Sequence, residues 1–97
     1  GESAHPGLRA AIMRIADDDP EVRCANGVLT TQMGPDSVVA ALSIEFEDAL
    51  TTPQVERCIN RLETTVHAEH PEVVALFVKP QTPQAWQAHY DSLVADS

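Results

Sequence analysis

The sequence predicts an α+β two-layer sandwich, and three patterns carry that reading. Apolar residues recur at helical spacing in two stretches, a strict period-two segment lies between them, and a short, nearly continuous apolar run follows the second helical stretch. Elements of both periods in a chain of 97 residues must share one hydrophobic core, because a domain of this size has no room for two.

The first helix is expected over Pro6 to Asp18, with Leu8, Ala11, Ile12 and Ile15 on one face. Pro6 fits a first turn, where its missing N–H costs nothing. Asp17, Asp18 and Asp19 follow before Pro20, and carboxylates at a helix C-terminus oppose the macrodipole. An exposed dipole effect amounts to less than about 1 kcal/mol, so the three read as solvated surface charge, although a bound cation could also relieve them.

Glu21 to Met33 is rich in Val, Thr and Leu, and Asn26-Gly27 interrupts it, so a strand with a bulge or kink near its start is expected. Gly34-Pro35-Asp36 punctuates the chain. From Ser37 to Glu47, Val38, Ala40, Leu42, Ile44 and Phe46 alternate with Val39, Ala41, Ser43, Glu45 and Glu47, which is the clearest strand in the sequence. The first set should face the helices. The second is apolar at one end and acidic at the other.

A second helix opens at Thr52-Pro53, with Thr52 as N-cap or with Thr51 and Gln54 as a capping box. Val55, Ile59, Leu62 and Val66 form its core stripe, and Pro71 stops it. Val73 to Lys79 reads as a short buried strand closed by Pro80. Thr82-Pro83 repeats the cap pattern and starts a last helix carrying Trp86, Tyr90 and Leu93. The order α-β-β-α-β, with an appended C-terminal helix, lets the long crossover bring the outer strands parallel with a right-handed connection. The result is a ferredoxin-like, or metallochaperone-like, sheet. The expected domain is a single unit over residues 1–97, with a core over 6–80 and a helical extension over 83–95.

Six Lys and Arg against 15 Asp and Glu give a net charge of −9, which excludes a phosphate-backbone partner, because counterion release needs clustered cations. The same surplus concentrates divalent cations near the surface. Cys24 and Cys58, without Cys-rich spacing, indicate buried thiols in a reducing compartment. The longest apolar run, Val73 to Val78, falls far short of the roughly 18 residues of a membrane helix, and no signal-peptide pattern opens the chain. A domain this small buries only part of its apolar surface, so pairing with a second copy is expected.

No phosphate-binding Gly-rich loop, nucleophile elbow, Cys-x-x-Cys or His-Glu-x-x-His occurs, so enzymatic function has no motif to rest on. The best local metal candidate is His67-Ala-Glu-His70, whose spacing puts both imidazoles on one helix face, with Glu63 one turn earlier as a third ligand. Histidines at a helix C-terminus equally well complement the macrodipole, and Glu63 equally well serves as an ion-pair partner. His5 and His89 stand near the termini.

Asp18 to Val22, Thr30 to Pro35, Ile44 to Asp48 and His70 to Glu72, taken in this order and with the α-β-β-α-β pattern between them, resemble the C-terminal cytoplasmic domain of cation diffusion facilitators. The resemblance covers Leu8 to Val78, and Gly1-Glu2-Ser3 looks like the residues that follow the last membrane helix in some members. It implies a module on the cytoplasmic side of the cell's inner membrane, attached to its own transmembrane domain, in a proton-coupled exporter of zinc or a related divalent cation. It implies a V-shaped homodimer, with metal between the lobes biasing the transporter. Zinc-sensing members carry four His and one Asp where this chain holds Asn26, Ser43, Glu56, Val78 and Pro80, and of these only Glu56 is a strong ligand type. A freestanding ferredoxin-like metal-binding or small-molecule-sensing protein is the alternative.

Overall fold

In the computed structural model, which describes residues 5–95, the elements are helix α1 (Leu8–Asp17), strands β1 (Val22–Gly34) and β2 (Ser37–Phe46), helix α2 (Thr52–Glu69), strand β3 (Val73–Pro80) and helix α3 (Pro83–Ala95). The opening Gly1-Glu2-Ser3 lies outside the described residues. The strands form one sheet in the order β1-β2-β3. The turn at Pro35 and Asp36 reverses the chain, so β1 and β2 are antiparallel, while α2 carries the chain back and makes β2 and β3 parallel. The crossover therefore aligns the two strands it joins, and the outer strands β1 and β3 run opposite to each other, not parallel as the sequence suggested.

Register fixes what each face of the sheet carries. The rows Val28–Leu42–Val78 and Thr30–Ala40–Leu76 lie on the helix side. Alternating with them, the rows Gly27–Ser43–Lys79, Leu29–Ala41–Phe77 and Thr31–Val39–Ala75 lie on the opposite side. The β2 alternation holds throughout: Val38, Ala40, Leu42, Ile44 and Phe46 are all buried. The Cα extents of 41 × 34 × 17 Å show how flat the molecule is, with the thin direction matching one sheet plus one helix layer.

The helix layer is held by short apolar stripes. Leu8, Ile12 and Ala16 of α1 are buried, with Ile15 half-buried beside them. The α2 stripe centres on Cys58, Leu62 and Val66, while Val55 and Ile59 pack against the core only half-buried. Cys58 was missing from the predicted stripe because a thiol does not register as an apolar period, although it packs as a small hydrophobe. Helix α1 starts later than expected. Gly7, at φ 83°, turns the chain as N-cap, so Pro6 sits in the preceding turn and not in the helix. At α2 the capping box forms: the Gln54 N–H donates to Thr51 Oγ1 at 3.3 Å, and the Thr51 N–H donates to Gln54 Oε1 at 2.7 Å.

Strand β3 departs from its reading as a buried strand. Val73 and Leu76 are buried, but Val74 is 56% and Phe77 65% exposed. It is an edge strand with one covered face, so an unbroken apolar run here does not mean burial on both sides. Pro80 stands last in the strand, and the next ladder bond, from the Gln81 N–H to the Ile44 carbonyl, is 2.8 Å.

Candidate functional site: the uncovered face of the sheet

The face away from α1 and α2 has a polar end and an apolar end. The polar end starts at the bulge between Ala25 and Gly27, where Asn26 is the extra residue. Asn26 Nδ2 donates to Ser43 Oγ at 3.1 Å and to the Gln81 carbonyl at 3.0 Å, and Ser43 Oγ donates to Gln81 Oε1 at 2.6 Å. The network ties β1 and β2 to the chain where it leaves β3, and Ser43 is only 2% exposed. Beside it, Cys24 Sγ lies 3.5 Å from Asn26 Oδ1 and 3.9 Å from Glu45 Oε1. Desolvation, with the Glu45 charge adding to it, pushes the Cys24 thiol up.

Trp86 closes this end. Gly27 shares a row with Ser43, and a Cβ built there would lie 2.7 Å from Trp86 Cε2 and 3.0 Å from Nε1. The indole therefore rests directly on the glycine backbone, which only a residue without a side chain allows. Thr82 caps α3, its Oγ1 accepting the Ala85 N–H at 3.1 Å. Tyr90 stacks obliquely one turn on, with ring centroids 5.6 Å apart. Past Trp86, no element among the described residues covers the rows Leu29–Ala41–Phe77 and Thr31–Val39–Ala75: Thr31, Ala41 and Phe77 are exposed, Leu29, Val39 and Ala75 are half-buried, and none of the six is ionisable.

On the opposite side, a charged clamp joins the α1–β1 connection to α2. Arg61 Nε and Nη2 donate to Asp19 at 2.8 and 3.0 Å, and Nη2 donates to Glu21 Oε1 at 2.8 Å. The hydrogen bond from Arg61 holds the Asp19 carboxyl below its usual range. Asp19 is buried, so one of the three aspartates expected as solvated charge is a structural acceptor instead, while Asp17 and Asp18 are exposed as expected and Asp17 also accepts the Ala25 N–H at 2.8 Å. Among the described residues, Asp19, Glu21 and Cys58 bring ligand-type atoms within 4.8 Å of one another. Arg61 already supplies the positive charge there, and burial pushes the Cys58 thiol up to about 11, so the group is a salt bridge packed on a neutral thiol.

The residues marked from sequence as metal candidates occupy α2 and its end. His67 Nδ1 lies 3.2 Å from the Val73 carbonyl, and His67 lines a shallow groove with Glu63, Val66, Val73 and Val74. His70 is the C-cap of α2, and its Nδ1 lies 3.8 Å from Glu72 Oε2. Glu56 is exposed on the first turns of α2. His5 Nε2 lies 3.1 Å from the Pro35 carbonyl, and His89 is exposed on α3. A cleft of about 440 Å³ lies between the start of α1 and β1 and is lined by Leu8, Arg9, Met13, Val28 and Val38 among others. No described helix is long and apolar enough to cross a membrane.

No known family profile and no curated protein sequence matches the chain. Solved structures do. The manganese form of a Glu-to-Asp variant of the MamM C-terminal domain superposes with a TM-score of 0.69 at 17% identity, covering 78% of this chain and 95% of that one. Zinc form 2 of a His-to-Glu variant gives 0.70 at 18% identity over 82% and 89% of the two chains. The nickel form of an Asp-to-Asn variant gives 0.71 at 17% identity over 80% and 98%. MamM is a cation diffusion facilitator. The chain thus has the ferredoxin-like fold of that transporter's C-terminal domain, at a sequence distance where the fold is what the two share.

Proposed function

We propose that this chain is the cytoplasmic dimerisation and regulatory domain of a divalent-cation efflux transporter of the cation diffusion facilitator type, and not an enzyme. The observation that carries the reading is the superposition on nearly the whole of the MamM C-terminal domain. The bare, uncharged sheet face supports the dimer, because large exposed apolar patches mark protein contacts. Its role follows from linkage: whatever binds the closed pair more tightly than the open pair shifts the attached membrane domains toward one state. Zinc, or a related divalent cation, is the cargo class in this reading.

Sedimentation of the isolated chain tests the dimer: a concentration-dependent monomer–dimer equilibrium is expected, and a monomer throughout the high-micromolar range refutes it. The reading frame upstream tests the transporter assignment, which requires several hydrophobic segments before Gly1. Metal regulation through Glu63, His67 and His70 is tested by zinc titration calorimetry, where double substitution of His67→Ala with His70→Ala must abolish the heat of binding. One observation favours a freestanding small-molecule sensor instead, namely the apolar cleft beside α1 with Arg9 at its rim. A start codon at Gly1 decides for that alternative.

A further inference from the structure

Where the Pro35–Asp36 turn meets the α2–β3 connection, at the other end of β2 from Asn26 and Ser43, two imidazoles converge on one carboxylate. His5 Nδ1 lies 3.5 Å and His70 Nδ1 3.8 Å from the same oxygen, Glu72 Oε2, and the His5, His70 and Glu72 side chains are only 18%, 26% and 20% exposed. The backbone of the connection is fixed. The Val38 N–H donates to the Glu72 carbonyl at 2.8 Å, the Val73 N–H to the His70 carbonyl at 2.9 Å and the His70 N–H to the Val66 carbonyl at 2.7 Å. The His5 ring is oriented as well. Its Nε2 lies 3.1 Å from the Pro35 carbonyl, which can only accept, so Nε2 carries a proton and Nδ1 of the neutral ring turns a lone pair toward the carboxylate. Two acceptors face each other there, and a positive charge between them relieves that arrangement.

We infer that His5 Nδ1, His70 Nδ1 and Glu72 Oε2 are ligands of a divalent cation, and that their chemistry selects zinc. The two separations fit a shared ion better than hydrogen bonds. Both exceed the roughly 2.7–3.2 Å of an ordinary N–H···O bond. Two atoms bound to one tetrahedral zinc at about 2.0–2.1 Å stand about 3.4 Å apart, which is close to both. Two imidazoles and a carboxylate are a donor set that zinc takes, and Asp36, which lines the same depression as His5 and Glu72, or a water supplies the fourth. The His5 contact to Pro35 fits as well, because a metal-bound histidine commonly donates its other ring N–H to a backbone carbonyl. The three ligand atoms do not all fall within 4.8 Å of one another, so the edge between the rings is open and His70, at the end of α2, swings in on binding. The ion thereby pins the segment before α1 to the α2–β3 connection. The pair His67 and His70, read together from sequence, is divided: His67 is exposed, with Nδ1 3.2 Å from the Val73 carbonyl. The inference goes beyond the reading above, needing neither a membrane domain nor a pair, and gives His70 the partners His5 and Glu72 in place of His67 and Glu63.

Zinc titration calorimetry on the full chain and on its His5→Ala, Glu72→Gln and His67→Ala variants tests this. His5→Ala and Glu72→Gln should each weaken binding at least about tenfold, whereas His67→Ala should leave it within about twofold. A second measurement needs no substitution. In heteronuclear NMR spectra of the imidazole rings, zinc should shift Nδ1 of His5 and of His70 and leave the His67 ring unmoved. Binding unchanged in both His5→Ala and Glu72→Gln overturns this site, and its loss in His67→Ala assigns the ion to Glu63, His67 and His70 instead. A wild-type chain that takes up no zinc below millimolar concentration overturns both cation sites and leaves the dimer reading standing.

Discussion

Gly27→Ala is the sharpest probe of how α3 is held. The added methyl would meet the body of the Trp86 indole, 2.7 Å from Cε2 and closer still to Cζ2, so the ring must lift or the strand must yield. Overpacking of this kind costs about 1–3 kcal/mol, against which replacing a strand glycine returns roughly 0.5–1 kcal/mol of backbone entropy. The single variant should therefore be destabilised by up to about 2.5 kcal/mol. With Trp86→Ala already in place the clash is gone, and Gly27→Ala should become stabilising by roughly 0.5–1 kcal/mol. The same substitution changes sign with the partner present or absent. Urea unfolding followed by circular dichroism, at one fixed protomer concentration, reads the four corners of the cycle. Trp86 is the sole tryptophan, so its emission should also move to the red in the single variant as the ring leaves the sheet. Equal effects of Gly27→Ala in both backgrounds, within about 0.5 kcal/mol, would refute the contact.

Arg61→Ala should cost about 1–3 kcal/mol at neutral pH, a figure kept below that of a fully buried pair because the Arg61 side chain is 47% exposed. Arg61 depresses the Asp19 carboxyl, so the clamp is fully effective above the ordinary carboxylate range near pH 4 and fades as pH falls through the lowered value; acid titration of Arg61→Ala should be flatter there than wild type. Cys58 should resist thiol reagents at neutral pH until the protein unfolds. With the folded thiol near 11 and the unfolded one near 8.5, the unfolded state loses its proton first, so stability should fall as pH rises between those values, a fall that Cys58→Ala removes. Thr51→Ala removes one half of the α2 capping box and should cost about 1 kcal/mol in thermal or urea unfolding.

The architecture was largely legible because its elements announce themselves locally. The β2 alternation, the Asn26-Gly27 interruption, the Thr51–Gln54 capping box and the Thr82-Pro83 cap each act within a few residues, and the structure places a strand, a bulge and two helix starts there. What escaped were relations between distant residues. Nothing near Asp19 in sequence indicates that Arg61, 42 positions later, will neutralise it, so a buried carboxylate paired with a half-exposed guanidinium read as surface charge. The same holds for Gly27, whose absence of a side chain acquires meaning only when Trp86 arrives. Strand β3 misled for a different reason. Composition reports how apolar a strand is, not how many of its faces are covered, and an edge strand covered on one face reads like a buried one.

The polar end of the sheet bears on regulation. Asn26 and Ser43 stand at positions where the family resemblance places metal ligands, yet here each is committed to Gln81 and to the other. Turning the Ser43 hydroxyl to a cation would break that tie and leave Asn26 Nδ2 and Gln81 Oε1 short of a partner, at about 1–3 kcal/mol for each that stays buried; Asn26 Oδ1 stands outside the tie, 3.5 Å from Cys24 Sγ. Trp86 adds to that cost by lying on the same row. Side chains and α3 together thus do at this end what a bound ion could do in a domain with histidines there: they hold β1, β2 and the end of β3 at fixed spacing. A domain braced in this way needs no metal to keep its shape. In the reading proposed above, a cation therefore acts away from this end of the sheet, at the α2 end where Glu63, His67 and His70 sit, and a conformational signal is available only from parts that are not already locked. Helix α3, held by one ring at one glycine, is the least locked of these.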